Sequence, residues 1–395
     1  MLKFATALLA TSMLAGLAHA ADPAPVRITI IADLDDDIYD ARAGRGGVDA
    51  TRMAVEDFGG TVLGRPIVVD SLNDHNKPAE APGLATQAYD AGADLLMDVQ
   101  NSPIAMAVAK VATERHKLAI TTGAAVPALT RAACSKYVYH YSFDSVAIET
   151  ATATHMASLP DGKRWVAIVA DAGFGKGALA TFTPIIAAHG GEILKSFTVP
   201  PSATDLSPII NEIKTLHPDV IAIFNAGAGA DNQIAAVNAA ALQAHLTTAL
   251  LYISDVERVG DGYAGVTAAV PWYWNLDAPA RAWADRFAAA HGGVRPTAAQ
   301  AADYSATMQW LQAVRSAGTT DADAVVRTLD GRRFDDMFAR HAEFRASDHA
   351  VVHDLYIVTV LPKAELPEPH AWYRVLETIP AAVAFPPGTE CHMPQ

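Results

Sequence analysis

Residues 95–130 constrain the fold more than any other stretch, because two apolar strands there flank one helix. Residues 95–99 predict a buried strand, residues 104–116 have helical spacing of apolar side chains, and residues 118–121 predict the next strand. In an open parallel sheet, the turns at the carboxyl ends of neighbouring strands open on one crevice, where ligands bind. We therefore expect the turns at 100–103 and 123–127, built of small and polar residues with free main-chain N–H groups, to face the same crevice.

Strands and helices also alternate on both sides of this unit. Apolar runs predict further strands at 26–32, 66–71, 164–170, 192–199, 220–224, 249–254 and 351–360. Strands that alternate with helices form parallel sheets covered on both faces. The sequence therefore predicts an α/β protein with two doubly wound parallel-sheet lobes, each of about 120 residues, a usual domain size. The lobes are expected to meet near residue 142, and the proline-rich residues 361–395 predict a segment that wraps a surface.

The first twenty residues predict a secretory signal peptide. Lys3 is followed by an apolar run at 4–17 that is too short to span a membrane, and Ala18-His19-Ala20 fits a small-x-small cleavage site. A buried N-terminal helix is the alternative interpretation. No later stretch has the length and apolarity of a membrane span, so we expect an exported, soluble protein.

The charge balance limits which partners the protein can bind, and the cysteine content indicates its redox compartment. The chain has 29 basic and 43 acidic residues, which argues against nucleic acid or an anionic membrane as a partner. Its two cysteines, Cys134 and Cys391, would lie in an oxidising compartment, where an even number favours one disulfide. Two free thiols are the alternative.

Short motifs along the chain carry a family resemblance. They are Gly46-Gly47, Glu56-Asp57, Asn73-Asp74, Asn101-Ser102, Thr122-Gly123-Ala124, Pro127-Ala128-Leu129-Thr130, Phe174-Gly175 with Gly177, and Asp205-Leu206-Ser207. Their order and spacing resemble the periplasmic solute-binding proteins of ABC importers, of the leucine/isoleucine/valine-binding type. The chain is also similar to one branch of this family, which is often associated with aromatic acids and similar carboxylates. This likeness depends on residues 55–60, the aromatic triplet at 272–274 and the late cysteine.

The resemblance implies a type I periplasmic binding fold, in which two lobes joined by a three-strand hinge close on a ligand. Crossovers are expected near 142, 271 and 347, which gives lobes of 21–142 plus 272–346 and of 143–271 plus 347–395. The disulfide would bridge the hinge side. The implied protein is a monomeric, cofactor-free receptor, not an enzyme. It would deliver a small polar or aromatic carboxylate, or an amino-acid-like solute, to an ABC permease.

An enzyme and a ligand sensor on the same fold are the other function classes. The nucleophile motif Gly-x-Ser-x-Gly is absent from the sequence, and the glycine-rich loop at 173–177 lacks the Walker or dinucleotide spacing. The export signal argues against a cytosolic sensor.

The resemblance also places the ligand's carboxylate on two turns. These are Asn101-Ser102 and Ala124-Ala125, where helix N-terminal N–H groups and a hydroxyl would donate to the anion. Ser102 can equally serve as an N-cap. The chain departs from the family at Ala125 and Val126, where Ser or Thr is usual, so one hydroxyl donor is missing.

Side chains elsewhere complete the implied ligand site. Asp255 matches an acidic position that meets an ammonium in amino-acid binders, and Phe174 matches an aromatic position that packs on the ligand. Tyr39 matches a position near the ligand. A strand-end turn for Asp255 and a core position for Phe174 are the structural alternatives.

Three aromatic residues lie at the second crossover. On an extended segment, Trp272 and Trp274 would face one side and Tyr273 the other. One or two of these rings could stack on a planar ligand in the cleft. Hinge packing is the alternative for all three.

The first strand ends in an acidic loop that includes Asp33, Asp35 and Asp37. The Asp-x-Asp-x-Asp spacing can seat a metal ion among oxygen ligands, although the glycine and distal glutamate of a calcium loop are missing. A patch that selects a cationic solute and a solvated acidic loop are the alternatives. The irregularly spaced His341, His349 and His353 are interpreted as surface or packing residues.

Overall fold

The structure, a computed structural model, describes residues 24–35 and 43–393. The strands of this part are β1 (Val26–Ala32), β2 (Thr61–Val62), β3 (Arg65–Asn73), β4 (Leu95–Asp98), β5 (Leu118–Thr121), β6 (Val138–His140), β7 (Arg164–Ala170), β8 (Glu192–Val199), β9 (Val220–Phe224), β10 (His245–Thr248), β11 (Val266–Val270), β12 (Arg333–Phe334), β13 (Ala342–Phe344), β14 (Val351–Val352), β15 (Leu355–Val360) and β16 (Tyr373–Ile379). The helices are α1 (Ala43–Phe58), α2 (Ala81–Asp90), α3 (Ser102–Arg115), α4 (Ser145–Ser158), α5 (Gly173–Ala188), α6 (Ser207–Leu216), α7 (Gly227–Ala239), α8 (Ile253–Val259), α9 (Ala278–Ala290), α10 (Ala298–Ala317), α11 (Ala322–Leu329) and α12 (Ala381–Ala384).

The first sheet has the strand order β2-β3-β1-β4-β5-β6 and is parallel except for the β2–β3 pair. β1 has apolar side chains on both faces of the sheet, as expected for a parallel sheet that is covered on both sides. Ile28 and Ile30 pack in the same core cluster as α1, whereas Ile31 packs in the cluster that contains α2 and α3. The late helix α10 packs on α1, so part of the chain after the second crossover returns to this sheet.

The second sheet has the order β16-β15-β11-β10-β9-β7-β8. Its central strands are parallel, and β15 and β16 add an antiparallel edge. Trp165 and Val169 of β7 pack with α4 and α5, while Val166 and Ile168 belong to the core on the opposite face. The predicted α/β architecture with two parallel-dominated sheets is therefore confirmed.

Several predicted strands near the carboxyl end of the chain were wrong in extent. The apolar run at 249–254 is not a strand, because β10 ends at Thr248 and α8 begins at Ile253. The predicted strand at 351–360 is split between β14 and β15. In the segment expected to wrap a surface, β16 forms an edge strand whose end residues, Tyr373 and Ile379, are buried and whose middle is largely exposed. An exposed edge strand has little apolar alternation, so its pattern was not visible in the sequence.

Three segments connect the two sheets. The first leads from β6 into α4, the second from β11 into α9, and the third passes through β14 into β15. A parallel bridge between His140 and Ala350 joins the first and third segments. A small antiparallel sheet, β12-β13-β14, lies on the third. The lobe boundaries at 142, 271 and 347 stay a prediction.

The predicted disulfide is confirmed. Cys134 and Cys391 are bonded, with their Cα atoms 5.6 Å apart. The C-terminal tail packs tightly on the segment before Cys134, since a Cβ at Gly388 would lie only 2.1 Å from the main-chain oxygen of Thr130. No described helix is long and apolar enough to cross a membrane.

Candidate ligand-binding site

A cavity lies between the carboxyl ends of the two sheets, beside the second crossover. It holds about 730 Å³ that protein atoms do not fill, part of it open to solvent. Most of its lining is apolar or aromatic. The lining residues are Gln100 and Gly123 of the first sheet's turns, Phe143, Ile148, residues 250–253, residues 269–274, residues 296–299 and Tyr373.

The turn after β4 presents Gln100 to the cavity and uses Asn101 as a helix cap. Asn101 Oδ1 accepts from the main-chain N–H of Ile104 at 3.2 Å, and its amide nitrogen donates to Asn76 Oδ1. Ser102 is the first residue of α3, is partly exposed and does not line the cavity.

The backbone of this turn is unusual. Asp98 and Val99 have φ angles of 74° and 64°, a left-handed conformation that a β-branched residue rarely adopts. Both residues are buried. This left-handed pair precedes Gln100, so a strained backbone sets which side chain of the turn reaches the cavity.

The turn after β5 brings Gly123 to the cavity, next to Gln100. A Cβ at Gly123 would lie 2.7 Å from Gln100 Cγ and 3.1 Å from its Cα, so the close approach of the two turns requires a glycine here. The carbonyl of Ala124 accepts from His140 Nε2 at 2.6 Å, and that of Ala125 from the N–H of Ser145 at 2.8 Å. Burial lowers the pKa of His140, which keeps its ring neutral.

These turns also carry main-chain donors without protein acceptors. Within residues 24–35 and 43–393, six of the N–H groups donate no hydrogen bond to the protein, those of Gln100, Asn101, Ser102, Gly123, Ala124 and Ala125. Buried N–H groups are nearly always paired, and Ala124 has no exposed surface. Groups of N–H donors at strand ends and helix N-termini bind anions. We call residues 100–102 and 123–125 the turn wall. Gln100 and Gly123 line the cavity, and the other four residues lie beside them in the same two turns, outside the lining.

Five aromatic residues also line the cavity, and we call them the aromatic wall: Tyr252, Trp272, Tyr273, Trp274 and Tyr373. The indole N–H of Trp272 donates to the main-chain oxygen of Met337 at 2.9 Å, and that of Trp274 to the main-chain oxygen of His370 at 3.2 Å. Both tryptophans are at most 3% exposed. Their polar atoms are therefore used by the protein, and apolar ring surface is left for the cavity.

The structure does not bring Asp255 and Phe174 into the cavity lining. Asp255 lies in the first turn of α8 and forms an ion pair with Arg258 at 2.7 Å. Arg258 also contacts the buried Asp231 at 2.6 Å. Phe174 is the second residue of α5 and packs, partly buried, against the core cluster around Trp165.

Only part of the acidic loop falls within the described residues, which exclude Asp37 and Tyr39. Asp35 accepts hydrogen bonds from His75 at 2.7 Å and from Asn73 at 3.1 Å. These two bonds lower the pKa of the Asp35 carboxyl. Asp33 accepts from the main-chain N–H of Asp35. Across the described residues, no group of three His, Cys, Asp or Glu side chains is placed to hold a metal ion.

The three late histidines have different surroundings. His341 is exposed and pairs with Asp354, and that contact raises its pKa. His349 is buried and stacks on Tyr139, with ring centroids 4.1 Å apart. His353 is buried between crossovers, and burial lowers its pKa.

Several lining residues were not predicted as ligand-binding from the sequence, and Gln100, Gly123, Tyr252 and Tyr373 are among them. Tyr252 lies in the apolar run that was interpreted as a strand, and that run is apolar because it lines the cavity. Tyr373 begins the edge strand that the sequence did not show. Gln100 and Gly123 belong to the two predicted turns, and only the backbone geometry distinguishes them from their neighbours.

The chain is similar to known proteins over most of its length. A family model of periplasmic binding proteins matches residues 25–365. A periplasmic binding protein from Burkholderia mallei is 34% identical, with a TM-score of 0.82 over 93% of this chain and 97% of that one. A branched-chain amino acid ABC transporter periplasmic ligand-binding protein from Burkholderia xenovorans is 30% identical, with a TM-score of 0.87 over 92% and 97%.

A third solved structure shows likeness of fold alone. It is an ABC transporter solute-binding protein from Rhodopseudomonas palustris in complex with 3,4-dihydroxybenzoic acid. It is 20% identical, with a TM-score of 0.77 over 90% of this chain and 98% of that one. A search of curated proteins found no match.

Proposed function

The chain belongs to the periplasmic binding proteins of ABC transporters, with the type I fold that its motifs predicted, and we propose that its ligand is a small planar aromatic carboxylate. The ligand would occupy the cavity between the two sheets. The loaded protein would then deliver it to an ABC permease.

The observation that carries this proposal is the chemical difference between the turn wall and the aromatic wall. The turn wall offers unpaired main-chain N–H groups, and the aromatic wall offers ring surface. A molecule with an anionic end and a planar apolar body matches both sides at once. Neither wall alone would select this combination.

The turn wall suits a carboxylate for two reasons. Its N–H groups lie at the carboxyl ends of β4 and β5, and part of it forms the start of the 14-residue helix α3. The helix dipole favours negative charge at that end. Each hydrogen bond to a charged acceptor is worth more than one to a neutral acceptor.

The aromatic wall suits a ring better than an aliphatic side chain. Offset and edge-to-face contacts between rings add about 0.5–1.5 kcal/mol beyond the area that they bury. Asp255, which the resemblance matched to ammonium recognition, is paired with Arg258 outside the lining. The structure therefore supports an aromatic acid more than an α-amino acid.

We also propose that ligand binding closes two lobes, residues 21–142 plus 272–346 and residues 143–271 plus 347–395. The three connecting segments would act as the hinge. The cavity supports this, because its lining comes from both sheets and from two of the segments that connect them. Closure would bury a bound ring between the walls.

Isothermal titration against four probes tests the proposed ligand class. Benzoate has a planar ring and a carboxylate. Benzamide keeps the ring without the charge, and cyclohexanecarboxylate keeps the charge without the planar ring. Leucine has a carboxylate and also an ammonium. We expect benzoate to bind at least about tenfold more tightly than each of the others, because each loses a charged hydrogen bond or aromatic packing.

Mass spectrometry of the purified protein is the control for a cavity that is already occupied. Protein from which any copurified ligand has been removed should bind benzoate with one site per chain. Tighter binding of leucine, or no binding of any aromatic carboxylate, would overturn the proposal.

A further inference from the structure

Gln100 lines the cavity and has an unused hydrogen-bond donor. Its Nε2 atom is buried, and within the described chain it has no hydrogen-bond partner. Buried polar atoms usually have a partner, and an exception is commonly satisfied by water or a ligand. The amide of the next residue differs, because Asn101 uses both its oxygen and its nitrogen within the protein.

The neighbouring turn fixes where this side chain lies. The space that a Cβ would take at Gly123 is bounded by the Cα, Cβ and Cγ atoms of Gln100. Gln100 therefore packs across Gly123 and bridges the two turns of the turn wall. Ala124 and Ala125, the next residues of the second turn, have side chains without a donor.

We propose that Gln100 is a ligand-binding residue whose amide nitrogen donates to the ligand's carboxylate, beside the main-chain N–H groups of the turn wall. This inference rests on the proposed function. A carboxylate can only accept hydrogen bonds, so the amide presents its nitrogen to it. Gln100 supplies the side-chain donor that the alanines of the second turn lack.

Titration of benzoate into two Gln100 variants tests this role. Gln100→Leu removes the donor at similar size, and we expect about 10- to 100-fold weaker binding, the usual range for a hydrogen bond to a charged group. Gln100→Glu puts a negative charge beside the carboxylate and should weaken binding further than Gln100→Leu does.

Gln243 provides matched controls. It is exposed and lies just before β10, at the end of that strand opposite to the cavity. Gln243→Leu and Gln243→Glu make the same chemical changes and should bind benzoate like the wild type. Melting temperatures measured without ligand show whether each variant is folded.

A second measurement does not require Gln100→Leu or Gln100→Glu to be folded. Gly123→Ala displaces the Gln100 side chain, so it should weaken benzoate binding in the wild type. In a Gln100→Ala background, which lacks the Cγ and the amide, the same change should cost much less. Contacting residues are expected to show such coupling.

The outcomes separate this inference from the proposed function. Wild-type binding of benzoate with no loss in either Gln100 variant would overturn the role of Gln100 and leave the proposed function standing. Equal losses for Gln100→Leu and Gln100→Glu would also overturn it, because the charge would then lie elsewhere. Failure of the wild type to bind any aromatic carboxylate would overturn both.

Discussion

The two walls of the cavity are built from different parts of the chain. The turn wall consists largely of main-chain N–H groups, and its shape depends on the left-handed Asp98 and Val99 and on the missing side chain at Gly123. The aromatic wall consists of side chains anchored by hydrogen bonds to distant main-chain atoms. Removing one ring deletes part of the aromatic wall. Most side-chain substitutions in the turn wall, in contrast, leave its main-chain N–H groups in place.

The largest expected effect is on the aromatic wall. Trp272 is 3% exposed, donates to the main-chain oxygen of Met337 and packs edge-on against Trp283, with centroids 5.8 Å apart. Trp272→Ala should lower the free energy of unfolding by about 3–5 kcal/mol, the usual cost of truncating a buried large aromatic side chain. It should also abolish measurable benzoate binding. Urea denaturation and titration measure the two effects.

Trp165→Ala is the matched control for the loss of an indole. Trp165 is 1% exposed on the helix-covered face of β7 and does not line the cavity. We expect a similar loss of stability, with benzoate affinity of the folded protein within about threefold of the wild type. If the two variants lose affinity equally, the aromatic wall has no special role.

The disulfide ties the segment after the turn wall to the C-terminal tail. It joins residues 257 positions apart, and a disulfide typically stabilises a protein by about 2–4 kcal/mol, mainly by restricting the unfolded chain. A Cys134→Ser/Cys391→Ser double variant should lose that much stability in urea denaturation. Since neither cysteine lines the cavity, benzoate affinity should change less than about twofold. Reduced wild-type protein is the control, and unchanged stability of the variant would contradict the prediction.

A buried acid in α4 makes the stability of the protein depend on pH. Glu149, which follows the cavity-lining Ile148, is 2% exposed in α4, and burial raises its pKa from 4.5 to about 7. Its neutral form stabilises the fold below the unfolded pKa of 4.5, and this stabilisation is lost as the pH rises through about 7. Glu149→Gln should therefore gain stability over the wild type, by about 3 kcal/mol, between pH 5 and pH 8.

Urea denaturation at several pH values between 5 and 8 measures this gain. Glu192→Gln, at an exposed position in β8, is the control for the same chemical change. A constant difference between Glu149→Gln and the wild type across these pH values would show that Glu149 is charged throughout. The turn wall, which is made of main-chain groups, should give the same benzoate affinity in both proteins.

Most of the fold could be predicted because strand and helix periodicity repeats in both lobes. The strand predicted at 95–99 is observed as β4, and its neighbour at 118–121 is observed as β5. The wrong strand predictions occur where the apolar pattern of the sequence does not reflect burial within a sheet. The run at 249–254 is apolar because it lines the cavity, and β16 is an edge strand with a largely exposed middle.

The candidate site could be predicted to within a turn, but not to the residue. The sequence indicated both turns and the aromatic triplet at 272–274, and these lie at the cavity. Which residue of a turn faces the cavity depends on backbone angles that no residue pattern shows. The left-handed Asp98 and Val99 precede Gln100, and it is Gln100 that lines the cavity, while Asn101 caps α3.

The smallest expected effect is a gain in the turn wall. Ala125 is partly exposed beside the unpaired N–H groups, and its carbonyl is already used by the N–H of Ser145. Ala125→Ser adds a hydroxyl without disturbing that bond, so benzoate should bind about 2- to 10-fold more tightly, as one additional hydrogen bond provides. Ala128→Ser, in the 3₁₀ turn Pro127–Thr130 that follows, is the control and should have no effect. The gain should be larger in Gln100→Leu, because the new hydroxyl would then replace the missing amide donor. If Ala125→Ser changes neither protein, the carboxylate does not reach the second turn, and the turn wall is confined to the residues after β4.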